Sequence, residues 1–285
     1  MTLLLPLIFA ALSLALPDDL VLSNVAPENF FAHELTPAPG SSEAIGFYSA
    51  GCLRGAVAMD LKDAELAVMK PSRHRYYGHP ALLSLLKRAK TEAPRAGPIL
   101  VGDLSQPRGG PMPMGHASHQ LGLDADIWFT PKAILGRGSL KEEEREGAAL
   151  ETVLDKSRKK IEPARWHASF AEQILWFAGQ PEVQRIFVHG AIKKRLCASH
   201  RHHPALPKVR PWYFHDSHYH VRLRCPVGSP GCKPQADPAE AGCDASIDPW
   251  LTPAALKIQR ELPKVGIPRR VNLPAACRGL SSRDL

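Results

Sequence analysis

Six cysteines, Cys52, Cys197, Cys225, Cys232, Cys243 and Cys277, constrain this chain more than any other feature. Their number is even, and no two of them stand in the CxxC spacing that structural zinc modules use. They read as three disulfides formed in an oxidising compartment, which would tie distant segments into one unit. Spacing leaves the connectivity open. Only Cys225 and Cys232 have a local argument for pairing, because they bracket the turn-rich segment PVGSPG.

The N-terminus agrees with export. Residues 1–16, MTLLLPLIFAALSLAL, form an apolar run too short to span a bilayer comfortably, with small residues at Ser13 and Ala15 and then Pro17, Asp18 and Asp19. This reads as a signal peptide. No Lys or Arg precedes it, and the alternative is a buried N-terminal helix. Residues 17–46 are rich in Pro and Ala and read as a mobile leader, which leaves 47–285 as a single folded domain. No later segment is apolar enough to cross a membrane.

Lys and Arg total 36 against 28 Asp and Glu, a formal net charge of +8. A basic chain suggests an anionic partner. Export argues against nucleic acid, whereas an anionic polymer outside the cytoplasm, such as cell-wall glycopeptide, fits both facts. The charge is equally consistent with solubility alone. Nothing in the sequence specifies an oligomeric state.

Periodicity gives the architecture. His79 to Glu92 puts Leu82, Leu83, Leu85, Leu86 and Ala89 on one side of a helix, and Ala164 to Gly179 carries Trp166, Phe170, Ile174 and Phe177 at helical spacing. Gly97 to Val101, Leu123 to Phe129, Gln184 to His189 and Tyr219 to Leu223 read as strands. Lys141 to Lys160 is charge-dense and reads as a solvated helix or insertion. Short strands alternating with helices, joined by long loops, define an α+β fold with a small mixed or antiparallel sheet.

Chemistry concentrates in two segments. MGHASHQLGLDADIW, from Met114, holds His116, His119 and Asp126, and HDSHYHVRL holds His215, His218 and His220. If His218 to Leu223 is extended, His218, His220 and Arg222 share one face. Imidazoles on a strand face, with an Asp and a His from a neighbouring strand and loop, make a ligand set for catalytic zinc, which takes three protein ligands and keeps one position open. His200, His202 and His203 read as a solvated loop. An active serine lacks support, since no GxSxG or SxxK accompanies the serines.

His119-x6-Asp126 with His218-x-His220 resembles the LAS group of zinc peptidases, and more closely the penicillin-insensitive murein endopeptidases. The similar segments are GCLRGA at Gly51, VMKPSRHRYYGHP from Val68, GHASHQLGLDADIW at Gly115, RIFVHGAIKKRLC at Arg185 and HDSHYHVRLRCP at His215. The resemblance implies a LAS-type zinc peptidase domain with Zn2+ held by His119, Asp126 and His220, and His116 as an extra histidine beside the metal. It implies His218 as general base and His215 as a further catalytic histidine. It also implies disulfides Cys52–Cys277, Cys197–Cys243 and Cys225–Cys232, a peptidoglycan substrate cut at D-alanyl-meso-diaminopimelyl cross-links, and a periplasmic location. Arg222 is open between oxyanion stabiliser and partner of a sheet-face carboxylate. The runner-up function is a non-catalytic zinc or cell-wall binding protein. Departures fall at His74 and His189, where Asn is expected, and in the basic tail after Gly242.

Overall fold

The computed structural model describes residues 31–113, 116–238, 242–261 and 272–281. The expected signal, 1–16, lies outside the described residues. In chain order the strands are β1 (Glu43–Phe47), β2 (Ala50–Arg54), β3 (Val57–Ala58), β4 (Leu66–Val68), β5 (Tyr77–Gly78), β6 (Ile99–Val101), β7 (Asp124–Trp128), β8 (Val183–Val188), β9 (Val209–Pro211) and β10 (His218–Leu223). The α-helices are α1 (Pro80–Glu92), α2 (Glu142–Gly147), α3 (Ala168–Gly179), α4 (Gly190–His200) and α5 (Pro253–Glu261).

Six strands form the central sheet in the order β4-β6-β7-β10-β8-β9, while β1 pairs with β2 and β3 with β5. The outer pairs β4/β6 and β8/β9 are parallel, and the three central pairings are antiparallel. The sheet is therefore mixed, in a single α+β domain.

Alternation sorts its two faces. Leu123, Ala125, Ile127 and Phe129, with Tyr219, Val221 and Leu223, point into the main core, where Leu82, Leu85 and Leu86 of α1 and Phe170, Ile174 and Phe177 of α3 meet them. The buried Tyr219 hydroxyl donates to Gln173 Oε1 at 2.7 Å, which satisfies a polar group that would otherwise be costly there. Helix α1 starts where Pro80 supplies a preset φ, with His79 as N-cap accepting from the Ala81 N–H. The opposite sheet face carries Asp124, Asp126, His218, His220 and Arg222. That face receives the site.

Three expectations are revised. The leader does not extend to residue 46 in the described part: Phe31 and Ala38 are buried with Cys52 and Cys277, and β1 already begins at Glu43. Their apolar side chains close a second small core that the Pro/Ala composition concealed. Trp166 precedes α3, which begins at Ala168 under a His167 N-cap, although the indole still packs on Phe129 and Phe170. Lys141 to Lys160 yields only the short α2, and beyond it the chain folds back through a Leu154 to Ile161 bridge.

Disulfides join Cys52 to Cys277, Cys197 to Cys243 and Cys225 to Cys232. Among the described residues no helix is long and apolar enough to cross a membrane.

Candidate metal centre

Antiparallel register builds half of the site. On β7 and β10, Asp126 stands opposite His220, Asp124 opposite Arg222 and Trp128 opposite His218. Directly opposed side chains in such a ladder lie within contact distance, so an HxHxR strand set against a DxDxW strand puts imidazoles on carboxylates. Phe187 of β8 stands opposite His220 on its other side, its ring centroid 5.2 Å from the imidazole.

The other half comes from the loop that runs from β6 to β7. Gly102 opens it beside Trp128, where an added Cβ would lie 2.3 Å from the indole Nε1, so only glycine fits. Further along, the buried Gln106 amide donates to the carbonyls of Gly109 and Pro111 at 3.1 and 3.0 Å. These bonds curl the loop back over the sheet. His119 arrives in the left-handed region, φ 68°, with its N–H donating to Asp124 Oδ2 at 3.1 Å. A non-glycine residue there stores strain of about 1–3 kcal/mol, which the surrounding structure must hold.

Each imidazole is oriented by a second partner. His119 Nδ1 lies 2.7 Å from the Leu104 carbonyl, to which its N–H donates, so that Nε2 turns its lone pair to Asp126 Oδ1 at 3.3 Å. His220 Nε2 donates to Asp124 Oδ1 at 2.8 Å, and its Nδ1 faces Asp126 Oδ1 at 3.3 Å. His116 Nε2 lies 2.9 Å from Asp103 Oδ2 and 3.6 Å from Asp126 Oδ2. His218 Nε2 is 3.6 Å from Asp126 Oδ1, and the His215 ring packs on those of His218 and His220 at 5.0 and 5.6 Å. All six histidine and aspartate positions singled out from the sequence thus converge on Asp126 or on its immediate neighbours.

The donor set fits a metal ion. His119 Nε2 and Asp126 Oδ1 are buried and have no hydrogen-bond partner, although buried polar atoms are nearly always paired. Potential ligand atoms of His116, His119 and Asp126 all lie within 4.8 Å of one another. Imidazole nitrogens and a carboxylate oxygen suit a divalent metal ion.

Electrostatics follows from burial and these partners. Burial alone would raise Asp126, but His218, His119 and His116 around it hold its carboxyl well below the usual range. Burial likewise opposes ionisation of Asp124, and Arg222 and His220 outweigh it, so Asp124 is a fixed anion. Burial lowers both His218 and His215 and is only partly offset by Asp126, so both imidazoles are neutral near pH 7. His220 moves the other way: burial lowers it, and the charges of Asp124 and Asp126 more than compensate.

Two side chains went unassigned in the sequence. Asp103, two residues past β6, accepts from His116 and from Arg75 at 2.9 Å, and from Arg73 at 3.3 Å. Asp124 shares its strand face with Asp126 and is the common partner of His119, His220 and Arg222. Arg222 gives Nε to Asp124 at 2.7 Å and Nη1 to Gln235 at 2.9 Å, and its guanidinium lies 4.3 Å from the Tyr48 ring centroid. Of its two open roles, the structure shows the partner of a sheet-face carboxylate. His189, where Asn was expected, caps α4 through Nδ1 and donates its backbone N–H to the His215 carbonyl at 2.6 Å.

A buried His/Asp centre at the seam of a sheet and a glycine-rich loop, in a disulfide-bridged α+β domain, has the composition of a metal-binding site. The profile of the penicillin-insensitive murein endopeptidase family matches residues 44–282, and the chain belongs to that peptidase family. It is similar to the penicillin-insensitive murein endopeptidase of Pectobacterium atrosepticum, 37% identical over 280 residues that cover 97% of each chain. The same-named protein of Yersinia enterocolitica is 38% identical over 86% of this chain and 87% of its own, and that of Haemophilus influenzae 39% over 80% of each.

Proposed function

We propose that the protein is a zinc-dependent murein endopeptidase that hydrolyses peptide cross-links of peptidoglycan, the D-alanyl-meso-diaminopimelyl bond in particular, in the periplasm. The observation that carries the metal assignment is the pair of buried, unpartnered atoms, His119 Nε2 and Asp126 Oδ1, which lie 3.3 Å apart. Family membership and the relatives' names support the substrate class, and the disulfides support an exported location.

In this reading His119 through Nε2, Asp126, and His220 through Nδ1 hold the ion, with His116 beside it. Zinc supplies Lewis-acid polarisation of the scissile carbonyl and lowers the pKa of water. Asp124 and the Leu104 carbonyl fix the tautomers of His220 and His119, the outer-shell duty that ligand histidines require. His218, neutral and with Nε2 turned into the site, accepts the proton of the attacking water and returns it to the leaving amine. His215, whose Nδ1–H donates to the Tyr213 carbonyl, would in its protonated form, in which both ring nitrogens donate, stabilise the developing oxyanion.

The two histidines of the HxH pair separate these duties. His220→Ala loses both zinc and activity. His218→Ala keeps near-stoichiometric zinc and turns over about 10²- to 10⁴-fold more slowly. Metal analysis beside a muropeptide assay on each folded variant reads the difference, and zinc loss in His218→Ala with retention in His220→Ala would reverse the assignments. A binding protein without turnover would leave muropeptides uncut in every variant.

A further inference from the structure

Trp212 is half exposed and is the one aromatic among the large apolar side chains left open to solvent in the described residues. It does not stand alone. Its ring centroid lies 5.7 Å from that of Trp250 and 6.3 Å from that of Tyr213, and Trp250 lies 5.0 Å from Tyr213. The three planes tilt against one another by 42–56°, so the rings form a splayed platform and not a closed stack. On its inner side Trp212 touches Phe187 at 5.6 Å, and Phe187 in turn borders His215 and His220. The aromatic surface is therefore continuous with the wall of the metal centre.

The platform is held from both sides. Trp212 donates its backbone N–H to Val188 at 2.7 Å, which fixes it to the end of β8. Trp250 comes from residues 245–251, a segment anchored to α4 by the Cys197–Cys243 bridge and by Lys194 on Asp248 at 3.4 Å. At Gly190, the first residue of α4, an added Cβ would lie 2.9 Å from the Trp250 Cβ. The helix start needs glycine so that this tryptophan can sit down on it.

The chemistry of the surface selects its ligand. The rings are neutral, and the charges of Lys194 on α4 and Asp248 on the anchoring segment neutralise each other. A carboxylate-rich stem peptide finds no cation in that pair, whereas a pyranose has an apolar C–H face that lies flat on aromatic rings while its hydroxyls stay in water. We propose that Trp212, Tyr213 and Trp250 form a saccharide subsite, which holds a sugar ring of the glycan strand beside the cleft that takes the cross-link. This inference rests on the murein reading above for its substrate class.

Two measurements test it. The first compares Trp250→Ala and Trp212→Ala with the parent enzyme on cross-linked muropeptide dimers carrying disaccharides and on the same dimers stripped of sugar. The ratio of the two kcat/KM values should fall about tenfold in each variant, through KM, with Trp250→Tyr recovering part of the loss. Equal loss on both substrates, or no loss, overturns the subsite. The second needs no turnover: calorimetric titration of the intact enzyme with a peptide-free tetrasaccharide of alternating N-acetylglucosamine and N-acetylmuramic acid. Binding that weakens about tenfold in either folded variant supports the platform even if no cross-link is cut, and no binding by the parent enzyme overturns it.

Discussion

Asp124→Asn is the substitution that separates this site from a mere collection of histidines. The carboxylate is fully buried and accepts four hydrogen bonds: from the His119 N–H at 3.1 Å, His220 Nε2 at 2.8 Å, and Arg222 Nε and Nη2 at 2.7 and 3.3 Å. An amide of the same shape leaves the buried Arg222 cation without its counter-charge, a loss of about 3–5 kcal/mol. The amide can also turn an NH2 to His220 and reverse its tautomer, which removes the Nδ1 lone pair from Asp126. Loss of such an outer-shell partner costs about 10- to 100-fold in metal affinity. The metal-free variant should therefore melt about 6–10 °C lower, and its zinc titration should show affinity weakened by that 10- to 100-fold. Calorimetry gives the first quantity and competition with a chromogenic chelator the second. An unchanged melting temperature together with unchanged zinc affinity would refute the role given to Asp124.

The disulfides should differ in worth by loop length. The Cys52–Cys277 bridge spans 225 residues and is worth about 5 kcal/mol in the chain-entropy account, against about 2 kcal/mol for Cys225–Cys232, which spans 7; urea melts of the paired serine variants give the order. Acid should also be costly to the metal-free protein. Burial raises Asp103 and Asp124, but His116 and Arg75 around the first, and Arg222 and His220 around the second, hold both below their usual value. Their stabilisation is therefore present above about pH 4 and is lost as the pH falls further. Asp103→Asn should flatten that loss in denaturant melts between about pH 5 and 2, and an unchanged slope would contradict the sign.

Legibility in the sequence followed how local the cause was. Helix α1 was readable because its five apolar residues, Leu82, Leu83, Leu85, Leu86 and Ala89, lie within one segment. The period of two at His218 to Leu223 placed His218, His220 and Arg222 on one face, and the register with β7 bears this out. Which carboxylate each group meets depends on that register, a long-range fact that no single strand contains. Asp103 was invisible for the same reason, since only the folded loop brings it to His116. The resemblance, and not any rule of spacing, supplied the two long-range cysteine pairs. The stretch 31–46 misled because composition reports turns and says little of where Phe31 and Ala38 are buried.

The most direct test of the account is the mass of the products when purified protein is incubated with cross-linked muropeptide dimers, with and without chelator, with zinc added back, and in the presence of penicillin. The account predicts cleavage at the D-alanyl-meso-diaminopimelyl bond that stops on chelation, returns with zinc and ignores the β-lactam, because no serine is available to acylate while the metal supplies the electrophile. Full cleavage by protein stripped of metal, or inhibition by penicillin, would contradict it.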